Sequence, residues 1–151
     1  MPDDRTLVAF LEGTGAGSRG LTVDDILALD DGALESRHDY IQWLFPLDVP
    51  SQAVPGSPVL TPADIQAIRA SAAARHNIRR AAARMRAFYA DNNHWLSGHD
   101  HNHLRITRII ASLRMLAGAE AAEDFRQFVL HLNAAAGSPV NARSVGYWRA
   151  A

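Results

Sequence analysis

Three histidines alternate along residues 99–103 and could together hold a metal ion. His99, His101 and His103 are separated by single residues, with Asp100 and His94 nearby, and imidazole is the commonest metal-binding side chain in proteins. On one face of a helix, however, ligands recur every three or four residues, so an alternating set points to different sides. We therefore expect no metal site in this segment, and we interpret the histidines as capping and packing groups at the start of a helix.

A polar stripe with helical spacing runs through the residues that follow. Its members recur at intervals of four, three and four residues: His101, Arg105, Arg108 and Ser112. Apolar residues lie on both sides of the stripe, which predicts a largely buried helix, and a buried guanidinium needs a carboxylate, a carbonyl or an anionic ligand. Two interpretations stay open. The arginines pair with acids such as Asp24, Asp25 or Asp39, or they line a pocket for an anion or a peptide carboxylate.

A second dense segment, residues 38–46, is rich in aromatic residues. Tyr40, Gln42 and Trp43 each combine a large side chain with a polar group that must find a partner when buried. A core hydrogen-bond network accounts for such residues. They could equally form the wall of a pocket, since aromatic surface beside arginines is typical of small-ligand sites.

The composition excludes several kinds of catalytic chemistry. All 15 basic residues are arginine and the chain has no cysteine, so lysine Schiff bases, P-loop lysines, thiol nucleophiles, thiolate metal sites and disulfides are all excluded. No Gly-x-Ser-x-Gly motif is present. We expect no cofactor, and the chemistry left to an enzyme would be a hydrolase that uses His101 or a bound metal.

The charge distribution makes nucleic acid an unlikely partner. The net charge is −1, yet residues 62–91 carry six arginines and two acids, whereas residues 1–40 carry nine acids and three arginines. The simplest interpretation is a solvated arginine face complementary to the acidic N-terminal segment. No recognised nucleic-acid motif frames these arginines.

Helix signals dominate the chain, and strand signals are poor. Thr22, Asp30 or Asp31, and Thr61 followed by Pro62 are helix-start signals. We expect an all-α, single compact domain over residues 1–151, with about six helices, a proline-rich loop over 46–60 and a flexible glycine-rich loop over 12–20. The predicted helices span 6–11, 23–29, 34–44, a long central one over 62–89, 101–116, 119–136 and 142–149.

The chain shows neither a membrane span nor a secretory signal. Its apolar runs fall short of the roughly 18 residues that span a bilayer, and residues 1–5 lack a basic then apolar pattern. We therefore expect a soluble, cytoplasmic protein. Abundant alanine and arginine without lysine are typical of a GC-rich coding genome, which favours a bacterial source.

Two segments resemble the signatures of a known family. Residues 38–47 (HDYIQWLFPL) and residues 101–109 (HNHLRITRI), followed by Ser112, Leu113 and Leu116, closely resemble the opioid growth factor receptor conserved domain. The resemblance covers about residues 30–117, and animal members are much longer, so the chain looks like a minimal, bacterial version. The resemblance implies binding of a Met-enkephalin-type opioid peptide by a soluble or nuclear-associated protein, and it carries over no catalytic residue.

These observations together favour a non-catalytic binding module for a peptide or a small anionic ligand. The expected ligand-binding residues are Tyr40, Gln42, Trp43, Trp95, His101, Asn102, Arg105 and Arg108. We expect the helix that carries Tyr40 and Trp43 to touch the polar stripe. The alternatives are the metal- or histidine-dependent hydrolase and a protein-interaction domain in which both signature segments are only core. The sequence leaves the ligand and the oligomeric state open.

Overall fold

The structure, a computed structural model, describes residues 6–151. All regular secondary structure in this part of the chain is helical, which confirms the predicted all-α class. The described residues form nine α-helices rather than about six. Of the seven predicted helical ranges, two are each broken into two helices, which gives nine. Residues 1–5, where no secretory signal was recognised, lie outside the described residues.

The helices follow one another closely along the chain. In order they are α1 (Thr6–Glu12), α2 (Val23–Leu27), α3 (Asp31–Ser36), α4 (Ile41–Leu44), α5 (Pro62–Ala70), α6 (Ala72–Asp91), α7 (Asn102–Leu116), α8 (Ala119–Ala135) and α9 (Ala142–Ala150). A 3₁₀ turn, Ser18–Gly20, lies between α1 and α2. Among the described residues, no helix combines the length and the apolar character that crossing a membrane requires.

The backbone divides into two compact units, Met1–Ala81 and Ala82–Ala151, and the boundary falls within α6. In the described part of the first unit, α1 packs against α4 and α5. In the second unit, α7 packs against α8 and α9, which also contact each other. Each unit buries its own set of apolar side chains. The single domain over residues 1–151 stays a prediction.

Two helices of the first unit begin at capping boxes, at the threonines that the sequence predicted as helix starts. Thr61 Oγ1 accepts the Asp64 amide at 3.1 Å, and the Asp64 carboxylate accepts the Thr61 amide at 3.0 Å. Thr22 and Asp25 repeat this exchange at 3.2 and 2.9 Å. Each box satisfies amides that have no partner within the helix, so the starts of α2 and α5 are determined locally.

The predicted helix over 34–44 is broken between α3 and α4. Arg37 adopts an extended conformation (φ −89°, ψ 137°), and the Tyr40 hydroxyl donates a 2.6 Å hydrogen bond to the Leu34 carbonyl. Carbonyls in the last turn of a helix have no partner within the helix, and the Tyr40 hydroxyl supplies one. The chain therefore leaves the helix at Arg37 and starts again at Ile41.

The predicted long helix over 62–89 is also two helices, and Ser71 separates them. Ser71 is extended (φ −97°, ψ 112°), and its hydroxyl accepts the Ala74 amide at 3.1 Å. The same hydroxyl donates to the Glu12 carboxylate at 2.9 Å. Ser71 thus caps the start of α6, and the long central helix is the 20-residue α6.

Close packing requires a glycine in the segment over 12–20. A Cβ added at Gly17 would lie 2.9 Å from the Trp43 ring and 3.1 Å from the Phe10 ring. Those two rings meet edge to face, with centroids 5.3 Å apart. Gly17 therefore lets the backbone lie directly against Trp43, and the flexibility of the segment stays a prediction.

Candidate functional site

The first signature segment is anchored in the core of the first unit. Tyr40 is fully buried, with its hydroxyl on the Leu34 carbonyl, and Trp43 is half-buried against Phe10. Gln42 is 93% buried (7% exposed), and its Oε1 atom accepts no hydrogen bond from the described residues. A buried acceptor without a donor is costly, so Gln42 stands out among the polar groups of this segment.

A charge cluster surrounds Asp39, near the start of the same segment. The Asp39 carboxylate accepts hydrogen bonds from Ser18 Oγ at 2.9 Å and from Arg37 Nη2 at 3.2 Å, and Arg19 Nε lies 3.1 Å away. Partial burial alone would raise the pKa of Asp39, but the hydrogen bonds from Arg37 and Ser18 and the charge of Arg37 lower it on balance.

All three acids expected to pair with the arginine stripe have partners within the first unit. Asp39 lies in the cluster above, and Asp25 belongs to the Thr22 capping box, where the Thr22 backbone amide lowers the pKa of its carboxyl group. Asp24 accepts a 2.8 Å hydrogen bond from Arg80 Nη1 of α6. This ion pair supports the interpretation that α6 arginines complement the acidic N-terminal segment.

Trp95 is a core anchor of the second unit. It is fully buried, and its Nε1 donates to the carbonyls of Tyr89 at 3.0 Å and Asn92 at 2.8 Å. Its ring lies 5.3 Å from the Tyr89 ring and 6.3 Å from the Trp148 ring. These contacts give Trp95 a structural role, and a contact with ligand stays a prediction.

Asn102, at the first position of α7, is the centre of a polar network. It is fully buried, and its Oδ1 accepts from the Tyr89 hydroxyl at 3.1 Å and from Arg105 Nη1 at 3.5 Å. Its backbone amide and its Nδ2 both donate to Asp100 Oδ1 at 2.8 Å. Asp100 therefore caps α7, whereas the His101 side chain makes no capping hydrogen bond.

The two stripe arginines have different surroundings on α7. Arg105 is 93% buried (7% exposed) and joins the Asn102 network. Burial lowers the pKa of Arg108, because removal from water penalises the charged guanidinium. Ser112 is fully buried, as the stripe predicts, but Leu104, an apolar residue outside the stripe, is 68% exposed. The helix is thus buried on one side and partly open on the other.

The alternating histidines divide between core and surface. His103 is buried, and its Nε2 lies 2.7 Å from the Trp95 carbonyl, which can only accept, so Nε2 carries the proton. Trp148 Nε1 in turn donates to the His103 carbonyl at 3.0 Å. His99 and His101 are exposed. The packing interpretation holds for His103, and the capping interpretation is wrong for His101.

The sequence analysis did not place Tyr89, His94 or Asp100 among the ligand-binding residues, and it considered His94 and Asp100 only as neighbours of the alternating histidines. All three belong to the surroundings of Asn102. Asp100 carried a detectable signal, because an acid two residues before a helical asparagine is a usual capping position. Tyr89 carried none, since its hydroxyl reaches Asn102 only through the packing of α6 and α7.

The fold and this site define an all-helical protein with a buried polar network at the start of one long helix. The sequence profile described as "Opioid growth factor receptor (OGFr) conserved region" matches residues 18–94, just over half of the chain. The chain therefore belongs to this family. The matched range contains the first signature segment and ends before the second, residues 101–109.

Two curated relatives show the same similarity. The opioid growth factor receptors of Mus musculus and Rattus norvegicus are each 36% identical to the chain over 115 aligned residues, which cover 62% of it. The alignments cover only 18% and 20% of the relatives, so the chain spans about a fifth of their length. No solved structure matches the chain.

Proposed function

We propose that the chain is a non-catalytic helical binding module for a peptide or a small anionic ligand, and that Arg105 and Arg108 receive the ligand's negative group. The observation that carries this proposal is the pair of guanidinium groups three residues apart on α7. One is 93% buried, and burial lowers the pKa of the other. An anion at this pair would offset the cost of holding two positive charges out of water.

The surroundings of the pair favour a carboxylate or a phosphate. Guanidinium groups bind both through paired N–H donors, and the Asn102 network holds Arg105 in place through Nη1. The relatives are named opioid growth factor receptors, which favours a peptide ligand. The guanidinium pair favours binding of that peptide through its C-terminal carboxylate. His101, Asn102 and Trp95 are proposed to support this position.

Three further residues are proposed for ligand binding within the first unit, taken by itself. Trp43 supplies half-buried aromatic surface there, and Gln42 Oε1 offers a buried acceptor for a peptide N–H group. Tyr40 is fully buried, and its proposed part is to hold this segment in place through its hydrogen bond to Leu34. These three residues are proposed as binding residues on that ground.

The test is calorimetric titration of the full chain with Met-enkephalin and with its C-terminal amide. We expect the free peptide to bind and the amide to bind at least tenfold more weakly. Arg108→Gln should lose that preference, whereas Arg114→Gln should keep it, because Arg114 is an exposed arginine of the same helix. Inorganic phosphate should raise the melting temperature of the wild type but not of Arg108→Gln.

Two results would overturn the proposal. One is the absence of any heat or thermal shift with peptide and phosphate. The other is equal binding by wild type, Arg108→Gln and Arg105→Ala, each confirmed to be folded by circular dichroism.

A further inference from the structure

Three side chains that commonly bind metals surround the Asn102 amide nitrogen in the second unit. Asn102 Nδ2 lies 2.8 Å from Asp100 Oδ1 and 3.5 Å from Nε2 of both His94 and His101. His101 Nδ1 lies 3.9 Å from Asp100 Oδ1, and His94 and Asp100 offer ligand atoms within 4.8 Å of each other. We refer to His94, Asp100 and His101 as the Asn102 cluster.

We propose that the Asn102 cluster binds a divalent transition-metal ion, with Zn²⁺ the best match. Two imidazoles and one carboxylate are a usual zinc ligand set, and three protein ligands leave the fourth position for water. Ligand atoms around tetrahedral zinc lie about 3.3 Å apart, given bond lengths of about 2.0 Å. Asp100 lies 3.9 Å from His101 Nδ1 and within 4.8 Å of a His94 ligand atom, so these two pairs would have to close around the ion. His94 and His101 are exposed, so their rings can turn toward it.

The structure already orients the carboxylate of this cluster. The backbone and side-chain nitrogens of Asn102 both donate to Asp100 Oδ1, and the Tyr89 hydroxyl and Arg105 hold the other end of the Asn102 amide. Hydrogen bonds of this kind orient metal-binding groups before the ion arrives. The positive end of α7 and the charge of Arg105 act against a cation, so we expect a site of moderate affinity.

The cluster differs from the alternating histidines considered in the sequence. His103 is excluded, because its Nε2 donates to the Trp95 carbonyl. The proposed metal site shares His101 with the residues proposed to support the anion site at Arg105 and Arg108. Its test is nevertheless independent, because it uses zinc alone and requires no peptide.

The test is calorimetric titration of the metal-stripped full chain with ZnCl₂. We expect one Zn²⁺ per chain, with affinity falling at least tenfold in His94→Ala, His101→Ala and Asp100→Asn. His99→Ala is the matched control, because it removes an exposed imidazole from the same loop and should change the affinity less than twofold. Zn²⁺ should also raise the melting temperature of the wild type and of His99→Ala, but not of His94→Ala.

Three outcomes would overturn the proposed site. These are no zinc binding by the wild type, equal losses in His99→Ala and the cluster variants, and zinc binding that none of the four substitutions weakens. Because His94 and His101 are exposed, their alanine variants keep the test valid even if Asp100→Asn unfolds the helix start.

Discussion

The two signature segments place their polar groups in different ways. In the first, the Tyr40 hydroxyl binds a backbone carbonyl six residues away, and the Gln42 amide oxygen is buried without a donor. In the second, the Asn102 amide joins Tyr89, Asp100 and Arg105 in one side-chain network. The first segment therefore acts mainly as core with one unsatisfied acceptor, whereas the second presents an organised set of charges and dipoles.

The difference follows from the lengths of the two helices. α4 has four residues, far too few for a helix to be stable by itself, so its conformation depends on packing of its aromatic residues. α7 has 15 residues and an amphipathic pattern, so it can display polar groups at regular spacing. In the sequence, the first segment was recognised by its aromatic content and the second by the helical spacing of its polar residues. These two features have different physical origins, so we expect substitutions in the two segments to change stability differently.

The largest contrast is expected between the two tryptophans that were both assigned to ligand binding. Trp95→Ala should lower the free energy of unfolding by about 3–5 kcal/mol, because it empties a fully buried site and removes a donor shared by two carbonyls. Trp43→Ala should cost about 1–2 kcal/mol, since Trp43 is only half-buried. Urea unfolding followed by circular dichroism measures both. Equal losses of unfolding free energy in the two variants would contradict the distinction between Trp95 as a core anchor and Trp43 as an accessible ring.

A second contrast concerns the buried amides of the two segments. Asn102→Leu should destabilise the protein by about 1–3 kcal/mol, because Asp100 and the Tyr89 hydroxyl lose their shared partner. Gln42→Met keeps the shape and removes an unsatisfied acceptor, so it should be neutral or stabilise by up to about 1 kcal/mol. Asn93→Ala serves as the control, because it removes the amide of an exposed residue. A large loss in Gln42→Met would mean that this amide has a structural partner after all.

The smallest effect on stability is expected at the charge cluster around Asp39 in the first segment. The pKa of Asp39 is lowered in the folded protein, so its contribution to stability is present above about pH 4, the ordinary range of aspartate, and is lost as the pH falls through the folded-state pKa. Asp39→Asn should therefore be less stable than wild type at pH 7, by under about 1 kcal/mol, and the difference should shrink in acid.

Thermal melts of Asp39→Asn and wild type between pH 7 and pH 3 measure this convergence. Asp48→Asn, at an exposed loop residue, is the control and should follow the wild type throughout. A difference that stays constant over the whole range would show that the Asp39 charge contributes nothing and that only its packing matters.

The sequence alone determined the helical class and the helix boundaries that depend on neighbouring residues. Thr22 and Thr61 start their helices as predicted, and Gly118 and Gly137 follow the last residues of α7 and α8 with φ of +111° and +88°. The bounds of α7, α8 and α9 were predicted to within one residue of those observed. Caps and glycine stops act over three or four residues, so their effect can be read without the fold.

Tertiary structure alone decided the helix break at Ser71 and the composition of the site. The break at Ser71 involves a hydrogen bond to Glu12, 59 residues earlier in the chain, and Asn102 meets Tyr89 only where two helices pack. Helix propensity and hydrophobic periodicity describe a segment in isolation. They predicted continuous helices across the positions of both breaks. Partners distant in sequence supplied the hydrogen bonds that made a break, or a buried amide, more stable than the local alternative.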